Sequence, residues 1–495
     1  MSVSRRAFLA LSLGIGASGA GCFLSKTNGS TAKDQTFVHP LAIPPVLEGV
    51  NRNERKVFDL TVQNGVTSFF EGSKTPTMGY NGTYLGPTIR AKRGERISFR
   101  IHNKLHEETT VHWHGLHVPA VMDGGPHQKI AVDETWKPEF TVDQPAATLW
   151  YHSHQFHRTA IQVYHGLAGL FYVDDENSEK LSIPSEYGVD DFPIVIQDRM
   201  FNRDNSFYYS NSMHDQMMGM IGDVFLVNGV VNPRLVVKRQ RIRFRILNGA
   251  NAQTYFLRFS DSREFFQIAT DGGFLKSPTS LTELRVAPGE RAEVLVDLKP
   301  NDDVVLENRP QDGSGRGGMM NRGRSNESKG VLRITGNDTL RKSEEIPASL
   351  SAVRNWLPER AVKTRRLVFQ MGMGMMSRSG GRFTINGRSI DINRIDQTVK
   401  LNDIEIWELV NRSPIPHPIH IHDIQFRILD RNGKTPPKNE QGLKDTVLVE
   451  PNETVRVITQ FEHFADDKSP YMFHCHILEH EDGGMMGQFL VRKGR

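Results

Sequence analysis

Gly94-Glu-Arg-Ile-Ser-Phe-Arg-Ile-His-Asn103 recurs as Gln240-Arg-Ile-Arg-Phe-Arg-Ile-Leu-Asn248 and again as Asn402-Asp-Ile-Glu-Ile-Trp-Glu-Leu-Val-Asn411. Each copy reads as a turn, a strand whose apolar residues alternate with period two, and an asparagine where the strand ends. Repetition at this spacing means one module used three times. Further β-branched strands with Gly- or Asn/Asp-rich punctuation follow each copy. The expected fold is therefore all-β, with three consecutive β-sandwich domains over residues 35–177, 190–340 and 362–495.

The bulk figures agree. A chain of 495 residues exceeds one ordinary core, and a prior of ~150 residues per domain gives about three. Segments 176–190 and 340–362, rich in Ser, Glu, Pro and Lys, read as linkers. Asp312-Gly-Ser-Gly-Arg-Gly-Gly-Met-Met-Asn-Arg-Gly-Arg324 reads as a loop within the second domain. Lys and Arg number 61 against 57 Asp and Glu, a net charge of +4. Charges this balanced give no basic patch, so nucleic acid is not an expected partner.

Residues 1–34 are expected to be an export signal and tether. Ser4-Arg5-Arg6-Ala7-Phe8-Leu9 precedes an apolar, small-residue run from Ala10 to Gly21, too short for a transmembrane span. The paired arginines resemble the twin-arginine signal, which would deliver a folded protein to the periplasm or the outer face of the membrane; the alternative is an ordinary Sec signal. Only Cys22 and Cys475 are cysteines. Cys22 ends Ala-Gly-Cys, similar to a lipobox, which would make it a lipid anchor. Gly19 stands where such a box usually has leucine, so cleavage elsewhere is the competing reading.

Of 19 histidines, ten fall into four groups: His112-Trp-His114, His152-Ser-His154, His417-Pro-Ile-His420-Ile-His422, and His474-Cys475-His476-Ile-Leu-Glu-His480. Residues two apart on a strand share a face, so each His-x-His pair aims two imidazoles at one point. The first and third domains carry these clusters and the second has none. A metal centre held between the outer domains follows, because eight buried imidazoles without ligands would carry a large desolvation cost. Zinc would favour several thiolates or three histidines, whereas one Cys, two His and a distant Met is the trigonal blue-copper set. That set reads Cys475, His480, Met485 and one histidine of the third cluster. His474 and His476 project to the opposite face from Cys475, so the thiolate and its neighbours would serve different metal ions.

In order and spacing, the four clusters resemble the signature motifs of the multicopper oxidases (laccases, bilirubin oxidases, cuprous oxidases), and the resemblance covers nearly the whole mature chain. It implies cupredoxin-like Greek-key domains and four copper ions. His417, Cys475 and His480, with Met485 axial, would hold type 1 copper. His112 and His420 would hold type 2 copper. His114, His152, His154, His422, His474 and His476 would hold the type 3 pair. The implied reaction passes single electrons from a reduced substrate to O2, giving water, and needs four protons. Asp123 and Glu481 match acidic positions given that role in related bacterial enzymes. Asp445 is read either as orienting a ligand imidazole or as a strand-end residue. His117 is read as lying behind the ligands or at the surface, and Asp271-Gly-Gly273 as a tight turn.

The resemblance implies O2 and either a small reduced organic substrate or Cu(I) as partners, for a chain expected to be monomeric. Cuprous oxidases place an acidic residue and a methionine just before the third motif, where this chain has Ser413 and Ile415. Phenols, bilirubin-type pyrroles or aromatic amines are therefore the expected substrates, with Cu(I) oxidation as the alternative. Two methionine-rich segments bear on that choice: Met213-His-Asp-Gln-Met-Met-Gly-Met220 and Met371-Gly-Met-Gly-Met-Met376. Thioethers suit Cu(I), though they also pack adaptably around organic clefts. Met371, Met373, Met375 and Met376 share a domain with the type 1 residues and are the expected neighbours of His417 and His480, themselves expected nearest the solvent. A non-enzymatic copper carrier or envelope protein is the reading from another class.

Overall fold

The computed structural model describes residues 36–310, 327–372 and 381–494. The export signal, Cys22, the 312–324 stretch, Met373, Met375 and Met376 lie outside them. Three sandwiches of two sheets make up the described chain. In the first, a sheet ordered Glu139–Thr141, Arg96–Lys104, Arg55–Thr67, Val50–Arg52 faces one ordered Val46–Leu47, Thr88–Lys92, Ala168–Asp174, Ala147–His152, His112–His114. Residues of both sheets form one apolar core, including Phe58, Phe99, Trp113 and Phe171. The middle sandwich has six- and seven-stranded sheets, the third two sheets of five. His39–Pro40 pairs in parallel with Pro233–Arg239, so the first described residues strap the middle sandwich rather than the first. Among the described residues no helix is long and apolar enough to cross a membrane.

The repeated segments are the strands Arg96–Lys104, Arg241–Asn248 and Ile404–Asn411. Each lies parallel to an earlier long strand of its own domain: Arg55–Thr67, Asp191–Arg199 and Lys363–Met371 respectively. The closing asparagine does the same work three times, fully buried each time. Its side-chain oxygen accepts the backbone N–H two residues on, at Leu105, Ala250 and Ser413, each at 2.8 or 2.9 Å. Its Nδ2 donates to a carbonyl four or five residues on and to another further along the domain, as Asn411 does to Ile415 at 2.8 Å and Val449 at 3.0 Å. A short amide at the strand end thus turns the chain and satisfies buried backbone that the sheet cannot. Asn411→Leu should cost about 1–3 kcal/mol for each backbone group left unpaired, read as a lowered unfolding midpoint of the copper-free protein. An unchanged midpoint would rule out this role for the corner.

The domains are clamped by buried charge and by the second linker. Arg245, from the middle repeat strand, meets Asp191 at 2.7 Å and stacks over the Tyr172 ring of the first domain at 4.2 Å. In segment 340–362, Leu350 packs on the middle domain and Trp356 on Ile406 and Ile458 of the third.

Candidate metal centre

Strand geometry divides the histidines into two sites. On His417–Ile421, His417, Ile419 and Ile421 alternate onto one face, while His420, continued by His422, takes the other. The strand pairs with Tyr471–Cys475 so that Ile419 opposes Cys475 and His420 opposes His474. The odd-numbered face joins the third-domain core, which contains Ile419, Ile421, Cys475 and Met485. The even-numbered face looks at the first domain, where His112–His114 pairs with the end of Ala147–His152, His112 opposite His152. The three-residue step from His417 to His420 is what separates the sites.

On the core side, His417 Nδ1 is 3.2 Å from Cys475 Sγ, which is 3.6 Å from His480 Nδ1; the two nitrogens are 3.3 Å apart. Met485 is fully buried beside them, its backbone joined to Cys475 and His480 by hydrogen bonds of 3.0 and 2.8 Å. Burial pushes the Cys475 thiol well up, so a thiolate here calls for a bound cation. Burial likewise holds His480 down to about 4 and lowers His417, leaving imidazoles with a lone pair to offer. Neither imidazole reaches solvent: both are fully buried. His417 Nε2 faces Ser413 Oγ at 2.6 Å, and His480 Nε2 faces the Met217 carbonyl at 3.1 Å. The expectation that these rings lie towards the solvent is thus corrected: His480 is closed off by the Met217 carbonyl of the helix Met213–Met218 and His417 by Ser413. Of Met371, Met373, Met375 and Met376, the methionines expected as neighbours of these rings, only Met371 is among the described residues. Met371, Met217 and Met218 all pack on the third-domain core, but it is the second-domain helix that touches His480.

On the other side, eight imidazoles converge. His154, His422 and His474 form one group of donors within 4.8 Å of each other; His114, His152 and His476 form another; and His112 and His420 join His114 in a third. His154 Nε2 and His422 Nε2 each lie 3.2 Å from His474 Nε2. His112 and His420 are turned by backbone carbonyls on their Nδ1 atoms, both at 2.9 Å, and their Nε2 atoms have no partner. His114 is reversed: its Nε2 meets Asp445 Oδ1 at 3.0 Å, leaving Nδ1 at 3.4 Å from His152 Nε2. His476 has no partner on either nitrogen. Burial first, then the neighbouring histidines, hold His114, His152, His154, His420 and His476 well below the usual imidazole range, and His422 at about 3. Unpaired, neutral, inward-facing imidazole nitrogens are metal donors, and buried polar atoms left so would otherwise carry a heavy penalty. The donors fit copper, with the lone thiolate and its two imidazoles marking the blue-copper position.

Three carboxylates each touch two of these rings. Asp123 Oδ2 accepts from His422 Nδ1 at 2.7 Å and its Oδ1 lies 3.5 Å from His112 Nδ1. Glu481 oxygens lie 3.2 Å from His154 Nδ1 and 3.1 Å from His474 Nδ1. Asp445 Oδ1 meets His114 and lies 3.6 Å from His420 Nδ1, so it orients imidazoles as well as preceding a strand. Burial pushes Asp123 and Glu481 up, but the adjacent imidazoles outweigh it, holding Asp123 well below the carboxylate range and Glu481 at about 2. His117 is buried against His463, ring centroids 4.8 Å apart, and belongs to none of the donor groups. Asp271 sits in the turn between Phe265–Thr270 and Gly273–Leu281, yet it also accepts from Lys444 Nζ at 2.9 Å. Arg291 was not visible as a site residue in the sequence: it donates to both Asp445 oxygens, at 2.8 and 2.5 Å.

Three family models described as multicopper oxidase match residues 61–178, 171–312 and 363–495. A multicopper oxidase of Staphylococcus haemolyticus is 38% identical over 473 residues, 94% of each chain. Cell division protein FtsP of Escherichia coli is 37% identical over 495 residues, 99% of each. A solved laccase-like multicopper oxidase from Ochrobactrum sp., described as active towards lignin model compounds and lignosulfonate, is 39% identical with a TM-score of 0.83, covering 91% of this chain and 100% of its own. The chain belongs to the multicopper oxidase family, and its three sandwiches are cupredoxin-like.

Proposed function

We propose that the protein oxidises small reduced organic molecules, such as phenols, bilirubin-type pyrroles or aromatic amines, one electron at a time, and reduces O2 to water with four such electrons. The observation that carries this is the adjacency of Cys475, set between His417 and His480, to His474 and His476 in the eight-imidazole pocket. Copper would supply the one-electron chemistry at both places: type 1 at His417, Cys475, His480 and Met485; type 2 at His112 and His420; type 3 at His114, His152 and His476 and at His154, His422 and His474. Cys475 and its flanking peptide bonds give electrons a covalent route between the two faces of one strand. Asp123 and Glu481, kept ionised by the imidazoles they touch, are placed to accept protons and pass them on during O2 reduction. Asp445, capped by Arg291, is suited to orientation instead.

The complete donor set speaks against the carrier or envelope reading that the cell-division relative brings to mind. Export by the twin-arginine route, carried by Ser4–Leu9, belongs to the same proposal and is checked by fractionating cells expressing Arg5→Lys/Arg6→Lys protein.

Substrate choice rests on what stands over the type 1 rings. Ser413 and Ile415 offer neither carboxylate nor thioether beside His417, which supports an organic donor, as does the activity described for the Ochrobactrum relative. The observation favouring Cu(I) is the helix Met213–Met218, which rests Met217 and Met218 on the third domain. The Met217→Ser/Met218→Ser variant separates the two. Phenol and Cu(I) oxidation should change together and by less than about tenfold, the lower bound for losing a partner that tunes a metal site. Selective collapse of Cu(I) oxidation would make Cu(I) the substrate.

A further inference from the structure

We infer that Arg291, on the middle domain that supplies no ligand, is a positioning residue for the eight-imidazole pocket, acting through Asp445 on the type 3 residue His114 and the type 2 residue His420. The inference rests on the copper-oxidase reading above. Arg291 is fully buried, as is Asp445. The guanidinium grips Asp445 with two nitrogens, at 2.8 and 2.5 Å, the fork geometry that fixes a carboxylate's plane as well as its place. Its remaining donors are committed: Nε to the Thr148 carbonyl of the first domain at 3.0 Å, Nη1 also to Gly289 at 2.9 Å, Nη2 also to Asp271 at 3.1 Å. One side chain therefore ties all three domains at the carboxylate that holds His114 Nε2.

That hold explains a peculiarity of the site. His114 presents Nδ1 inward because Asp445 occupies its Nε2. His420 is set by the Asp445 carbonyl at 2.9 Å, with the carboxylate 3.6 Å away. Removing the guanidinium would leave the buried Asp445 side chain without its clamp and able to swing, loosening both rings. Close packing leaves no room for a substitute: at Gly115 (φ +87°), directly after His114, an added Cβ would come within 2.5 Å of Asp445 Oδ2 and 2.7 Å of Arg291 Nη2. The middle domain also lays Gly289 (φ +82°) against His476, where a Cβ would meet the ring at 2.8 Å. By contrast, the type 1 residues lie on the far face of the strand and touch neither Arg291 nor Asp445.

The test uses full-length, copper-loaded protein carrying Arg291→Met, Asp445→Asn or Arg291→Lys. Copper per chain, the type 2 electron paramagnetic resonance signal and the red absorbance of the Cys475 thiolate bond are read during titration with a copper chelator. For Arg291→Met and Asp445→Asn we expect type 2 copper and the type 3 copper at His114 to be held about 10- to 100-fold more weakly, with the thiolate band unchanged. Arg291→Lys keeps the charge but not the fork, and should keep type 2 copper with altered hyperfine splitting. A residue that merely braces the domains would weaken every copper alike, or none, and either result overturns the inference. If Arg291→Met yields no folded protein, Arg291→Lys decides: wild-type hyperfine splitting and affinity would overturn the proposal, a shift in the type 2 signal with the thiolate band unchanged would support it. A wild-type chain that binds no copper would instead sink the underlying reading, and this one with it.

Discussion

Copper-loaded Cys475→Ser is expected to lose the intense blue colour and nearly all oxidase turnover, while the copper held by the eight imidazoles stays bound. The serine oxygen would stand where Sγ lies, 3.2 Å from His417 Nδ1 and 3.6 Å from His480 Nδ1, but a hydroxyl is a hard, protonated donor and cannot form the polarised thiolate bond. The covalent route from the core face to His474 and His476 would be broken at its first atom. The loss should exceed the about 10–100-fold that follows removal of a supporting partner, because here the ligand itself goes. The imidazole pocket should survive, since His474 and His476 lie on the opposite face and keep their own supports. A variant that retained the blue band would refute the type 1 assignment.

Asp123→Asn and Glu481→Gln are expected to slow reoxidation of the reduced protein by O2 roughly tenfold or more, the scale of lost acid–base assistance. Reduction at the Cys475 site should be nearly unchanged. Both amides keep the size of the side chain and one accepting oxygen, which serves His422 at position 123 and one of His154 and His474 at position 481. What disappears is the capacity to take up and release a proton beside the pocket. Asp445 supplies the contrast: with Arg291 across it at 2.5 Å, its neutralisation should disturb ligand geometry before proton delivery. Stopped-flow mixing of reduced protein with O2, compared with anaerobic reduction, separates the two steps. Unchanged reoxidation in both variants would take the carboxylates out of the mechanism.

What the sequence reveals here is what repeats locally. Period-two alternation locates the strands Arg96–Lys104, Arg241–Asn248 and Ile404–Asn411, and the same periodicity pairs the histidines and sets Cys475 apart from its neighbours. Asn103, Asn248 and Asn411 are legible as strand ends, but the corner each builds depends on carbonyls brought in by the fold. Arg291 left no trace because its partner lies 154 residues away and its own strand reads as ordinary alternation. The contact of the Met217 carbonyl with His480 Nε2 was illegible for a similar reason: it is made across a domain boundary. Contacts made across sandwich boundaries carry no local signature, and they are what finish this site.

Oxidase chemistry at this centre is probed most directly by the number of donor electrons consumed per O2 by copper-loaded protein, with peroxide assayed in the same vessel. Four electrons per O2, no peroxide, and no uptake after the copper is removed are expected. Two electrons per O2 with peroxide accumulating, or no uptake by fully loaded protein, would contradict the proposed reaction.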